Sequence, residues 1–228
     1  WVGGLILATI LTGIGTAVFI VHGIDVNLTA DVVTTAENML NAEIRLRAKA
    51  YVSILTFSLE GAIAIGLFYI LKETGRLIAA WALFMSFGAS ILTLMGGVYG
   101  MNAAEIASHA AYTSLTSPSQ NLMLAALQAT SDYTSFHLSL VIASLSNAGF
   151  FFLLFKSRLI PRWIAGWAVF ASLFVAVTIT ARDFIPLLGH DLITMAFMLS
   201  NLAALILLGG YLALKGVRIT ATSPAASD

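Results

Sequence analysis

Glu60 is the residue whose position most strongly suggests chemistry. It lies in the middle of the apolar stretch AYVSILTFSLEGAIAIGLFYIL, which runs from Ala50 to Leu71. An ionised carboxylate in the centre of a bilayer costs several kcal/mol, so intramembrane acids face a bundle interior and are candidates for proton, cation or ligand handling. The alternative is a protonated Glu60 that hydrogen-bonds to a neighbouring helix. Both interpretations remain open.

Two asparagines are candidates to share a polar layer with Glu60. Counted at about 1.5 Å per residue from the outer ends of their helices, Asn201 lies level with Glu60 and Asn147 lies somewhat deeper. Ser58 and Ser144 would add hydroxyl groups to this layer. A hydrogen bond from Glu60 to Asn201 would be structural, and worth about 1 kcal/mol.

The histidines form a second pattern, since all four fall toward the outer side of the predicted membrane. His137 lies just inside the predicted fourth span, and the outer connections or span ends hold His22, His109 and His190. With nearby carboxylates, these side chains are candidates for binding zinc, another divalent ion or haem. No His-x-x-x-His or His-Glu-x-x-His spacing is present, so ordinary interfacial hydrogen bonds are the alternative.

The remaining motifs do not predict a reaction. The segment GGVYG supplies the pair Gly96 and Gly100, a spacing that predicts close approach of another helix. The sequence has no phosphate loop, nucleophile elbow or kinase signature. It has no cysteine, which excludes thiolate metal sites and cysteine nucleophiles. No catalytic residues are predicted, and a non-enzymatic role is favoured.

The composition predicts the elements that must position these residues. Of 228 residues, 59% are hydrophobic and 10% are charged, and the mean hydropathy is +0.95. A soluble domain carries about 25% charged residues, so part of this surface must face lipid. The zero net charge argues against nucleic acid as a partner. Spanning helices of about 20 apolar residues are predicted at 1–22, 50–71, 77–101, 133–155, 162–182 and 192–214.

The lysines and arginines predict the orientation of these six spans. Seven lie on one side of the predicted membrane and four on the other. Because cations favour the cytoplasmic side, both termini are predicted to be cytoplasmic. The fold class is therefore all-α, a polytopic membrane protein with one domain at 1–217 and a disordered tail at 218–228.

Two outer connections are long enough to hold helices of their own. Amphipathic helices on the outer membrane surface are predicted at about 29–47 and 117–130. In the first, Glu43 and Arg47 form an i,i+4 pair. In the second, Ser117 is the expected N-cap and Pro118 the first helical residue.

An internal repeat links two parts of the chain. The segment GRLIAAWALFMS at 75–86 matches PRWIAGWAVFAS at 161–172, and from 58 to 86 there are 11 identities in 29 positions at this offset. This pattern predicts a parallel repeat of helical hairpins at about 50–101 and 133–182. The alternative is that any inward-to-outward span favours Arg at its start and Trp near the interface.

Two segments of the chain are typical of a known family: TADVVTTAENMLNAEIRLRAKAYVSILTFSLEGAIAIGLFYIL, and FFFLLFKSRLIPRWIAGWAVFASL. With the order of the predicted spans, they resemble a family of bacterial integral membrane proteins known as domain of unknown function 4386. It implies an acid in the second span, where this chain has Glu60, and a histidine near the start of the fourth, where it has His137. It also implies a six-span protein of the bacterial inner membrane, and it brings no activity or cofactor.

For function, the sequence favours a non-catalytic accessory, scaffold or assembly subunit of a larger membrane complex. The alternatives are a small ion-coupled transporter that uses Glu60, and an outward-facing metal- or haem-binding protein or enzyme that uses the histidines. Expected partners are the lipid bilayer and other membrane subunits, and no cofactor is predicted beyond bound lipid.

Overall fold

The computed structural model describes residues 1–26 and 31–216, and these residues are helical with short connections. The helices are α1 (Val2–Gly15), α2 (Val32–Leu40), α3 (Glu43–Ser108), α4 (Ala110–Leu115), α5 (Pro118–Ser157), α6 (Arg162–Arg182) and α7 (Asp191–Lys215). A π-helical turn at Thr16–Ile20 extends α1, and a 3-10 turn at Pro186–Gly189 precedes α7. The all-α prediction is confirmed for these residues, and the predicted tail at 218–228 lies outside them.

Five helical stretches of the described chain are long and apolar enough to cross a membrane. They are Val2–Ile20, Glu43–Ser108, Pro118–Ser157, Arg162–Arg182 and Asp191–Lys215, each with an 18-residue window of mean hydropathy 2.0 or 2.1. The second has 66 residues. If straight it would measure roughly 100 Å, against about 30 Å for the hydrocarbon core of a bilayer.

Helix α3 folds back on itself at Gly75 and forms an antiparallel hairpin. Gly75 has φ −175° and ψ 84°, which interrupts the helical conformation. Residues about equally far from Gly75 on its two sides then meet: Arg47 contacts Glu105, and Gly97 lies against Ser53. The two arms, 43–74 and 76–108, contain the predicted spans 50–71 and 77–101.

Helix α5 begins with the predicted capping residues. The Ser117 hydroxyl accepts from the Gln120 backbone N–H, the Gln120 side chain accepts from the Ser117 N–H, and Pro118 starts the helix. The prediction of a separate surface helix at 117–130 is wrong, because α5 continues unbroken to Ser157. No glycine or proline separates the two parts, so nothing ends the helix.

The surface helix predicted at 29–47 also differs from the structure. Residues 27–30 are outside the described range, α2 covers Val32–Leu40, and Glu43–Arg47 already belong to α3. Asp31 caps α2 by accepting from the Val33 and Thr34 N–H groups and the Thr34 hydroxyl, and these hydrogen bonds hold the pKa of Asp31 below its usual range. The predicted Glu43–Arg47 ion pair is present at 3.0 Å.

Small residues allow the long helices to pack closely. Ala82 of α3 and Ala168 of α6 are fully buried, and the Ser146 hydroxyl of α5 donates to the Ala82 carbonyl at 2.7 Å. Close backbone approach through small residues is the usual basis of helix association in lipid. A second, smaller apolar cluster lies toward the other end of the α3 arms, where the segment after α1 and the helix α2 cover them; it contains Val21, Ile24, Met39, Leu46, Ala103 and Ala129.

Candidate functional site

A buried charge cluster joins three segments at the end of the bundle opposite Gly75. The Lys49 ammonium donates to the Asp132 carboxylate, and its Nζ lies 3.7 Å from Asp25 Oδ2. Lys49 belongs to the first arm of α3, Asp132 to α5, and Asp25 to the segment that follows α1. Lys49 and Asp132 are both buried, and the Asp25 side chain is 18% exposed.

Two glycines of the GGVYG segment make room for this cluster. A Cβ on Gly96 would overlap with Asp132 Oδ1, and a Cβ on Gly100 would contact the Lys49 side chain and the Leu46 carbonyl. Both glycines are buried on the second arm of α3. The predicted packing pair therefore lies where two helices approach and where the buried charges need space.

The charges of the cluster stabilise the fold only as a set. Burying a charge is expensive, and removing one partner of a buried pair leaves the other uncompensated. One ammonium lies between two carboxylates here, so Lys49 compensates both Asp25 and Asp132. The arrangement ties the segment after α1 to the α3 and α5 helices.

His137 belongs to a second polar group, between α5 and α6. Arg182 Nη2 lies 2.9 Å from His137 Nδ1, and His137 Nε2 lies 3.1 Å from Asp183 Oδ2. Because arginine can only donate, the geometry assigns Nδ1 as the acceptor from Arg182 and Nε2 as the donor to Asp183. Arg182 also lies 3.3 Å from the Tyr133 hydroxyl. In this arrangement neither ring nitrogen has a lone pair available for a metal ion or for proton abstraction.

Glu60 is joined to the opposite arm of the α3 hairpin. The Ser90 hydroxyl donates to Glu60 Oε2 at 2.6 Å, and Ser90 is almost fully buried. Ser58, expected in the same layer, is exposed and donates to the Ile54 carbonyl of its own helix. The structure therefore gives Glu60 a serine partner on its own hairpin.

The other members of the predicted polar layer lie on different helices. Asn147 is on α5 and Asn201 on α7, and both are partly exposed. Within residues 1–26 and 31–216, no hydrogen bond connects either amide to Glu60. Ser144 is buried on α5.

The remaining histidines are spread over three connections. His22, His109 and His190 are all exposed, and His190 Nδ1 accepts from the Leu192 N–H at the start of α7. In the described part of the chain, no three His, Asp or Glu side chains are grouped so that they could hold a metal ion. The metal and haem alternative therefore gains no support from these residues.

A known family matches almost the whole chain. The family described as domain of unknown function 4386 matches residues 1–216. The chain belongs to this family. The match covers every helix described above, from α1 to α7, so the domain of unknown function 4386 corresponds to the whole helical bundle. No curated protein and no solved structure matches the chain.

Sequence reasoning missed the Asp25–Lys49–Asp132 cluster of this domain of unknown function 4386 protein. The signal was present: Asp25 follows the first predicted span, while Lys49 and Asp132 each immediately precede a span. All three therefore fall on the same side of the predicted membrane. Their burial depends on the segment after α1 folding over the helix ends, which helical periodicity does not encode.

Proposed function

We propose that this protein is a non-catalytic accessory, scaffold or assembly subunit of a larger complex in the bacterial cytoplasmic membrane. One observation carries the proposal: the ionisable side chains most suited to chemistry are paired across helices or across the two arms of α3. Glu60 is held by Ser90, Asp132 by Lys49, and His137 by Arg182 and Asp183. Groups used in this way stabilise the bundle and keep its helices in register.

The proposed topology has six spans and cytoplasmic termini. The two arms of α3 each supply one span, because the hairpin at Gly75 returns the chain to the side from which it came. Cations near the α3 turn and the α5–α6 connection support a cytoplasmic location for this end of the bundle: Lys72, Arg76, Lys156, Arg158 and Arg162.

The repeat of two hairpins is part of the same proposal. The alignment places Gly75 on Pro161, and at both positions the chain leaves the helical conformation before the next helix begins. It also places Glu60 on Ser146, and both side chains form hydrogen bonds to the second arm of α3. An ancestral helical hairpin that duplicated would explain this correspondence.

The surface of α6 supports an interaction with lipid or with another membrane subunit. Large apolar side chains recur there one or two turns apart, at Trp163, Trp167, Phe170 and Val177, and all four are exposed. Such a face is costly in water and stable against acyl chains or against an apolar helix. An accessory subunit requires a face of this kind.

A small ion-coupled transporter is the second candidate, favoured by the buried carboxylates of the Asp25–Lys49–Asp132 cluster and by Glu60. Intramembrane acids of this kind serve proton relays in transporters. Reconstitution in liposomes that contain a pH-sensitive dye separates the two functions. Proton flux that disappears in Glu60→Gln would support transport, whereas the accessory function predicts no protein-dependent flux.

The accessory function is tested by purification of the tagged chain from its native membrane in mild detergent. We expect one or more membrane proteins to remain bound at a fixed stoichiometry, and Glu60→Gln to retain them. Deletion of the chain should lower the amount of the assembled complex. A chain that elutes alone, and whose deletion changes no membrane complex, would contradict the proposal.

A further inference from the structure

An open apolar groove lies between α6 and α7, near the start of α6 and the end of α7. It encloses about 290 Å³. The lining residues that matter here are Trp163, Ile206, Gly210, Tyr211, Leu214 and Lys215. The lining is almost entirely apolar, and its charged residue is Lys215, which is exposed at the end of α7 and forms the rim of the groove.

Gly210 determines the depth of the groove. A Cβ added at this position meets no protein atom within 4 Å, so the space above the backbone is open. By contrast, a Cβ on the preceding Gly209 would collide with Ile6 of α1. Gly209 is therefore required for helix packing, whereas a Cβ on Gly210 enters open space. A side chain at position 210 would extend into the groove.

The charge at the rim indicates what kind of molecule fits. Lys215 is exposed in the last turn of α7, and Arg162 starts α6 with its guanidinium over the Phe155 ring at 5.5 Å. Trp163, beside Arg162, is 64% exposed. Trp and Tyr favour the headgroup level of a bilayer, and a cation near that level attracts anionic lipid by about 1 kcal/mol.

We propose that this groove binds one anionic phospholipid, with an acyl chain along Gly210 and the phosphate near Lys215. The inference rests on the membrane location proposed above and does not depend on the accessory role. A second open groove, between α5 and α6, is lined by Val141, Leu145, Leu173, Ala176, Val177, Thr180 and Ala181. That lining contains no charged residue, so it would accept lipid without a preference for headgroup charge.

A partner helix is a less suitable occupant of the α6–α7 groove. An apolar helix would leave the Lys215 ammonium without a counter-charge at the contact, whereas a phosphodiester supplies one. Charge complementarity therefore favours the lipid. If a protein subunit occupied the groove instead, the same substitutions would release that protein rather than a lipid.

The test measures lipid retained by the purified protein in detergent by native mass spectrometry, after addition of equal amounts of palmitoyl-oleoyl phosphatidylglycerol and phosphatidylcholine. We expect the unaltered protein to retain phosphatidylglycerol in preference. Gly210→Val should reduce retention of both lipids by filling the groove. Lys215→Gln should lower the preference for phosphatidylglycerol about fivefold, the loss expected for one cation near an anionic headgroup.

Two matched variants serve as controls. Gly13→Val enlarges an exposed glycine of α1 that also has open space around it, and Lys72→Gln removes a cation at the same end of the bundle. Both should retain phosphatidylglycerol as the unaltered protein does. Equal retention of the two lipids by the unaltered protein, or equal loss in the control and groove variants, would overturn the proposal.

If Gly210→Val does not fold, Lys215→Gln and its Lys72→Gln control still decide the result. Release of a bound protein by the groove variants, without loss of lipid, would also overturn the proposal. A failure of the membrane location itself would be distinguishable, since the chain would then remain dispersed after removal of detergent.

Discussion

Glu60 and Ser90 face each other across the α3 hairpin, 15 residues before and 15 residues after Gly75, with the Ser90 hydroxyl donating to Glu60 Oε2 at 2.6 Å. The acid is thus joined to the other arm of its own helix. At about 1.5 Å per residue, the pair lies roughly 22 Å from the turn, which is within an apolar layer of about 30 Å. Substitution of Glu60 is therefore the most informative single test of whether this pair has a structural role or a role in transport.

We predict that Glu60→Gln retains the fold, because the amide oxygen still accepts from Ser90. The melting temperature in detergent should remain within a few degrees of that of the unaltered protein. Ser90→Ala removes the donor and should cost about 1 kcal/mol, the usual value of a hydrogen bond between helices in lipid. If Glu60→Gln unfolds the protein while Ser90→Ala has no effect, Glu60 has a partner other than Ser90.

The position of Glu60 was predictable from sequence, but its partner was not. A carboxylate in an apolar stretch is expected to face the bundle, and in the structure Glu60 accepts a hydrogen bond from Ser90. The predicted amide layer with Asn147 and Asn201 assumed that the outer ends of the helices lie at the same level in the membrane. Counting residues from these ends gives the depth of a residue along its helix, but it does not show which helix faces are in contact.

We predict that Lys49→Met destabilises the protein by about 3 kcal/mol, because Asp132 then remains buried without a counter-charge. Adding both Asp132→Leu and Asp25→Asn to Lys49→Met should recover most of this loss, since no charge of the cluster is then left without a counter-charge. Thermal unfolding in detergent measures both effects. A loss below about 0.5 kcal/mol for Lys49→Met would show that the pair is hydrated and contributes little.

We predict that Gly96→Ala is destabilising by about 1–3 kcal/mol, because its methyl group would overlap with the buried Asp132 carboxylate. Gly88→Ala is the matched control on the same arm of α3, where an added Cβ meets nothing within 4 Å. That control should be neutral, or stabilising by up to about 1 kcal/mol from helix propensity.

A double-mutant cycle checks the stated cause of the Gly96 effect. With Asp132→Ala in the background, Gly96→Ala should cost much less than it does alone. An unchanged cost would mean that the glycine is needed for contact between backbones rather than for space around the carboxylate.

We predict a pH dependence at the start of α2. Asp31 has a lowered pKa because the Thr34 hydroxyl and backbone N–H groups donate to its carboxylate. Because the pKa of Asp31 is lower in the folded state, its ionised carboxylate stabilises the helix at pH values above the ordinary pKa of about 3.9. This stabilisation disappears as the pH falls through the folded-state pKa. Hydrogen exchange of the Val33 and Thr34 amides, corrected for its intrinsic pH dependence, should lose protection there. Asp31→Ala should show the same low protection at every pH.

The α3 hairpin shows why local sequence determined part of the fold and left part of it open. The apolar windows 50–71 and 77–101 were visible, and so was Gly75 between them. The location of Asp25, Lys49 and Asp132 on one side of the predicted membrane was also visible, but their contact was not, because Asp25 and Asp132 are separated by more than 100 residues and meet only after the bundle has packed. Short-range sequence patterns predict helices, whereas contacts between residues that are far apart in the sequence depend on tertiary packing.

The accessory role is tested most directly by reciprocal purification from native membranes. The tagged chain should retain a membrane-protein partner at fixed stoichiometry, and the tagged partner should retain this chain, with the same yield for the unaltered protein and for Glu60→Gln. The account would be contradicted if the tagged chain purifies without any partner and if the protein gives proton flux in liposomes that Glu60→Gln abolishes.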